Sequence, residues 1–236
     1  MRQVFVYIVI TLLALPTMAQ DPQFTQFYAA PLLLNPGFTG NTEQGRGGAI
    51  YRNQWPAVPN SKSFVTYSAY YDHNLRDLNS GMGFVAMRDQ VGNAGLSTTT
   101  FALSYAYRAK VNRKFSIKPA LQMGVLNRSI DFSQLVFGDQ LTTGKDVSVS
   151  NAGLNQESSL DLDVAAGVLG YTRQFWFGAS MYHINKPNSS LLANVTPMDQ
   201  RLSIHAGAKF PVKKSIKGRT VSDFTLTFNY KRQVPW

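Results

Sequence analysis

Long stretches of the chain alternate between apolar and polar positions, the period-two signature of β-strands. In 98–108, Thr99, Phe101, Leu103, Tyr105 and Tyr107 share one face, and Thr98, Thr100, Ala102, Ser104, Ala106 and Arg108 the other. In 115–125, Phe115, Ile117, Leu121, Met123 and Val125 oppose Ser116, Lys118, Ala120, Gln122 and Gly124. In 159–168, Leu160, Leu162, Val164, Ala166 and Val168 oppose Ser159, Asp161, Asp163, Ala165 and Gly167, and in 224–231 Phe224, Leu226, Phe228 and Tyr230 oppose Thr225, Thr227, Asn229 and Lys231. Looser alternation marks 46–54, 62–73, 80–89, 173–184 and 201–210. The pattern predicts about nine strands of roughly ten residues. A tilted strand that crosses a bilayer needs about 9–11 residues, whereas an ordinary globular strand has about 5–6. Pro119 lies on the apolar face of its segment and predicts a local break in the ladder.

Both a soluble β-sandwich and a membrane barrel alternate, so the composition of the polar face decides between them. A sandwich turns its charged face to water. Here only 15% of residues are charged, and the polar face is mostly Ser, Thr, Gly, Ala, Asn and Gln. That suits a barrel lumen. Tyr105, Tyr107, Tyr171, Tyr182 and Tyr230 end apolar faces, as an interfacial aromatic girdle requires. The expected fold is all-β, an antiparallel transmembrane outer-membrane β-barrel. Single-chain bacterial barrels have even strand numbers, so about nine visible strands read as an incomplete set.

The first residues read as an address. Arg2 precedes the apolar run Val4–Pro16, and small residues at Thr17 and Ala19 complete a secretory signal peptide, with cleavage expected after Ala19. With no Cys, a lipoprotein anchor, disulfides, thiolate metal sites and cysteine nucleophiles are excluded. No later run is long and apolar enough for a membrane helix. The expected organisation is a signal peptide over 1–19, a non-strand leader over 20–45 and a β-barrel domain over 46–236.

Pro22, Pro31 and Pro36 rule out a long helix in the leader, yet Phe24, Phe27, Tyr28, Leu32, Leu33 and Leu34 make it too apolar for a linker, and Asn35-Pro36-Gly37 reads as a turn. It must bury itself, either as a plug or packed under the periplasmic rim, or on a periplasmic partner. Asp21, Pro22, Phe24, Gln26, Phe27, Tyr28, Asn35 and Pro36 are the candidate plug or contact residues. Arg52 and Trp55 flank the first strand and are placed to clamp it.

Candidate chemistry is sparse. Asp161 and Asp163 share a face and suit acid–base work, calcium binding or, as the plainer reading, neutralisation by Arg108, Lys118 or Lys231 across a lumen. These five and His205 are the expected lumen wall. His73, His183 and His205 have no metal-ligand spacing, and no GxSxG nucleophile motif occurs. No catalytic, cofactor or metal residue is nominated. Lys209, Lys213, Lys214, Lys217 and Arg219 cluster at an expected turn, suited to acidic headgroups or to plain solvation; the export signal argues against nucleic acid.

The leader segment Asp21–Gly40 followed by Tyr51-Arg52-Asn53-Gln54-Trp55 resembles the PorP/SprF family, outer-membrane proteins of the type IX secretion system in Bacteroidota. Phe175–Pro187 and Gln200–Val212 resemble the family's later strand-and-loop regions. The resemblance implies a non-enzymatic role, without cofactors, in secretion or surface anchoring of cargo with C-terminal sorting domains, including gliding adhesins. It implies periplasmic ring or peptidoglycan-binding partners. Family members carry further strands after the segment matching Phe224–Lys231, so a shortened C terminus is expected. A passive outer-membrane porin is the alternative, and a surface hydrolase a third reading.

Overall fold

The computed structural model describes residues 21–56, 64–92, 96–130, 158–188, 190–191, 195–214 and 220–233. The expected signal peptide and residues 131–157 and 234–236 lie outside them.

Period-two alternation becomes ten strands: β1 (Gly45–Gln54), β2 (Phe64–Leu75), β3 (Ser80–Val91), β4 (Leu96–Tyr107), β5 (Ala109–Lys110), β6 (Ser116–Ser129), β7 (Ser158–Tyr171), β8 (Phe175–Tyr182), β9 (Arg201–Lys214) and β10 (Thr220–Gln233). They form one antiparallel meander in the order β1-β2-β3-β4-β6-β7-β8-β9-β10. The two-residue β5 continues β4 along β6, past a break at Arg108. The rungs Ala106↔Ala120 and Ala109↔Ile117 bracket a gap in the ladder at Tyr107 and Arg108, and Lys118 and Pro119 are the residues of β6 that face it. A residue with no N–H to give thus sits where the ladder asks for none.

Every step between neighbours is antiparallel, so β1 and β10 point the same way. Among the described residues no ladder joins them, and the sheet is a curled half-barrel. No helix among the described residues is long and apolar enough to cross a membrane.

The apolar face looks outward. Leu103, Leu160, Leu162, Phe224, Leu226 and Phe228 are all 60–70% exposed. The inward face buries Thr66, Ser68, Ser104, Gln122, Ser180 and Ser203. A soluble sandwich would reverse this; lipid as the outer solvent requires it. Tyr105, Tyr107 and Tyr230 are outward, as a girdle needs, but Tyr182 is buried. It keeps the inward register of Ser180, and its hydroxyl donates to Leu32 O at 2.8 Å, inside the curl.

The chain before β1 supplies the core. Its prolines break it into a 3-10 turn (Phe27–Ala29), one α-turn (Pro31–Leu34) and a second 3-10 turn (Pro36–Phe38). Pro31 and Pro36 each open a turn, where the missing N–H is no loss. Ala30, Leu32, Leu34, Asn35, Pro36 and Thr39 are essentially inaccessible to solvent.

Candidate functional site

The site is the contact between this leader and the inner wall. The middle of the leader meets six strands, so the sheet curls around it. Thr39 Oγ1 lies 2.8 Å from Ser104 Oγ on β4, and the Gly40 amide donates to Asp72 Oδ2 on β2 at 2.7 Å. Lys118 on β6, only 2% exposed, donates to Thr39 O at 2.6 Å. Asn35 Nδ2 lies 3.0 Å from Val168 O on β7, 3.1 Å from Ala179 O on β8 and 3.0 Å from His205 Nε2 on β9. Asn35 Oδ1 accepts from the Gly37 amide at 2.7 Å, which holds the turn. Phe38 stacks on the His205 ring at 5.1 Å.

The wall is shaped to admit it. A Cβ on Gly167 would stand 2.1 Å from Asn35 Oδ1, and one on Gly81 would stand 2.7 Å from the Gly40 Cα. Gly40 itself has φ +62, a left-handed conformation that suits glycine. Small residues at these inward positions therefore serve close approach of a second backbone.

The leader runs lengthwise. Connections at one end of the sheet are short (76–79, 111–115, 172–174 and 215–219), and at the other they span 55–63, 92–95, 130–157 and 183–200. At the short-turn end, Asn74 Nδ2 donates to Thr42 O at 2.8 Å, and Asp72 holds Arg46 Nε at 2.9 Å. At the other end, Asp21 meets the tip of β8 and the start of β9. Its Oδ2 accepts from Arg201 Nη1 at 2.7 Å and lies 2.9 Å from His183 Nε2. His183 Nδ1 in turn lies 2.9 Å from Asp163 Oδ1. Arg201 also packs its guanidinium over the Tyr182 ring at 4.2 Å and reaches Leu33 O at 3.3 Å.

Burial alone would push the Asp21 carboxyl up, but Arg201 and His183 outweigh it and hold it well below the usual carboxylate range. Burial would likewise depress His183, yet the carboxylates of Asp163 and Asp21 on its two ring nitrogens push it up to about 9. An imidazolium wedged between two carboxylates follows. His183 has φ +56, a strained backbone for a side-chain-bearing residue that costs on the order of 1–3 kcal/mol. The paired ring and the hydrogen bond of the next amide, Ile184 N to Val164 O at 2.9 Å, hold it there.

Beside this cluster the lumen keeps a cavity of about 840 Å³. Phe24, Phe27 and Leu33 of the leader line it with Val85 and Leu126 of the wall, and Arg52, Asp89 and Lys231 supply further charge.

The predicted leader residues divide. Asn35 and Pro36 are fully buried; Pro22, Phe24 and Phe27 line the cavity; Gln26 and Tyr28 are exposed. Of the first-strand motif, Arg52 and Gln54 turn inward and hydrogen bond to each other, while Tyr51 is outward with its ring tilted against that of Tyr67, and Asn53 is outward beside it. Trp55 packs edge-on against Phe64, 5.4 Å away, so the expected clamp by Arg52 and Trp55 is not what holds the leader. Neutralisation also differs from expectation: Asp163 pairs with His183, whereas Lys118 is taken by a leader carbonyl. Arg108 and Asp161 are inward and half-buried, and among the described residues Asp161 meets Ser159 Oγ, at 3.5 Å. Lys209 pairs with Asp223 at 2.7 Å; Lys217 and Arg219 lie outside the described residues.

Sequence reading did not single out Asp72, Arg46, Thr39, Ser104 or Arg201. Their partners lie far away in the chain. A trace existed for His183, inside the Phe175–Pro187 segment on which the family resemblance rests.

No curated protein and no solved structure matches the chain. A family model described as type IX secretion system membrane protein PorP/SprF matches residues 17–235. That match runs from the leader through β10, and with it the chain belongs to the PorP/SprF family of type IX secretion outer-membrane components.

Proposed function

We propose that this chain is a non-enzymatic scaffold of the secretion machinery, supporting export or surface anchoring of cargo that carries C-terminal sorting domains, gliding adhesins among them. One observation carries the reading: the chain's own leader lies inside the curl of the sheet and is held there by polar contacts with six strands, most of them buried. An interior spent on a fixed leader favours a platform over an open pore. Outer-membrane barrels carry short periplasmic turns and longer external loops. On that rule the Asp21 end faces outward, and the turns 76–79, 111–115 and 172–174 face periplasmic ring or peptidoglycan-binding components. Export through a signal peptide cleaved after Ala19 belongs to the same reading.

Deleting the gene and comparing surface and medium proteomes by mass spectrometry tests it. Loss of one or a few proteins with C-terminal sorting domains is the expected result; unchanged proteomes contradict it. The cavity of about 840 Å³, with Arg52 and Lys231 on its wall, favours a passive porin as the second reading. Steady conductance by the purified protein in a planar bilayer would support that reading against the first.

A further inference from the structure

Two cations, His183 and Arg201, converge on a single oxygen, Asp21 Oδ2, at 2.9 and 2.7 Å. All three side chains are nearly shut off from solvent, at 6%, 9% and 11% exposure. They belong to separate parts of the chain: Asp21 to the leader, His183 to the end of β8, Arg201 to the start of β9. The cations are held independently of Asp21. Asp163 orients the far side of the His183 ring, the Tyr182 ring lies under the guanidinium, and Leu33 O takes one of its nitrogens. Arg201 engages Asp21 through Nη1 alone, and its Nε is buried with no hydrogen-bond partner among the described residues. A guanidinium that offers a fork but meets a carboxylate at one tine is under-used. The left-handed backbone at His183, φ +56, is the kind of strain that persists at binding and switching positions. The cavity of about 840 Å³ opens directly onto all three residues, and apolar groups of the leader and wall, Phe24, Phe27, Leu33 and Met198 among them, share its lining with charged and polar ones.

We propose that His183 and Arg201 form a carboxylate-binding site at the long-loop end of the lumen, that Asp21 occupies it from within the chain, and that a carboxylate borne by a polypeptide segment entering the cavity competes for it. The Asp21 end of the leader is then a displaceable latch, while Asn35–Gly40 stays fixed to the wall. The cation pair gives the ligand its charge requirement, and the apolar side chains in the lining, Phe24, Phe27, Leu33 and Met198, favour a carboxylate attached to apolar chain over a free small anion. Both a chain's terminal carboxylate and an Asp or Glu side chain carry the required group. The site is a property of this chain alone and does not depend on the secretion reading.

Fluorescence anisotropy on the purified, detergent-solubilised full chain tests it, with three labelled probes. One is a short apolar peptide with a free terminal carboxylate, one is its terminal amide, and one is that amide with a single internal aspartate. In Asp21→Ala the free-acid peptide should bind at least about tenfold more tightly than in the wild type, and the plain amide should gain nothing. Adding Arg201→Gln should remove the gain. Tighter binding of the aspartate-bearing amide than of the free acid would identify the side-chain source; the reverse would identify the terminus. Asp21→Asn keeps the size of the latch without its charge and should show the same ordering if Asp21→Ala folds poorly. Equal binding of acid and amide, or a gain that survives Arg201→Gln, overturns the proposal.

Discussion

The outward and inward faces of the sheet take their residues from the same strands, one position apart, and make opposite demands on them. Outside, Leu160, Leu162, Met123 and Leu226 need only be apolar, because lipid has no fixed shape to match. Inside, Asn35, Thr39 and Asp21 meet particular atoms of Ser104, Lys118, His183, Arg201 and His205, so identity and size both matter. Charge makes the contrast sharp. The inner wall buries Lys118, Asp72, Asp163 and Arg201, each with a partner; the outer face at the same depth has nothing to pair a charge with.

The largest expected break of that contrast is a charge on the lipid side. Met123→Arg, at the middle of β6, should cost about 2–4 kcal/mol of membrane-folded stability, measured by denaturant titration in lipid vesicles. Next comes the approach of the leader to the wall. Gly81→Val would drive its Cβ into backbone atoms of Gly40 and Thr39, both 2.7 Å from it, and neither can swing aside. It should cost about 1–3 kcal/mol and release the leader to protease while the strands stay folded, read by limited proteolysis of membranes.

A gentler probe is pH. His183 is pushed up to about 9 in the folded chain from an ordinary 6.5. A group raised on folding gives its full stabilisation below the unfolded value and loses it as pH climbs through the folded one. Protection of the leader should therefore be constant below about pH 6.5 and fall towards pH 9, and His183→Gln should flatten that profile. The charged groups around His183 are Asp21, Asp163 and Arg201. Smallest of all, Leu160→Ile on the outer face should change stability by less than about 0.5 kcal/mol in the same titration.

The strands were legible because each carries its own evidence. The alternation at Phe101–Tyr107 or Phe224–Tyr230 repeats over enough residues to fix strand, face and approximate ends. Even Pro119 announced a break, and the break is there. The leader was legible as apolar and turn-rich, with its path hidden. Asn35 is bound to residues more than a hundred positions away, and nothing local names them. Tyr182 misled because periodicity marks an aromatic at a strand end without saying which face ends there. His183 and Asp163 lie twenty positions apart in sequence and meet only through the β7–β8 pairing and a left-handed turn.

The central claim is that the leader lies inside the curl of the sheet, and the absence of native cysteine makes it directly testable. Thr39 and Ser104 bring their side-chain oxygens within 2.8 Å of each other. The double variant Thr39→Cys with Ser104→Cys, oxidised in native membranes, should form an intramolecular disulfide in nearly every folded copy, seen as a reductant-sensitive mobility shift. Normal abundance in the outer membrane with both thiols still free to react with maleimide would place the leader elsewhere and contradict the account.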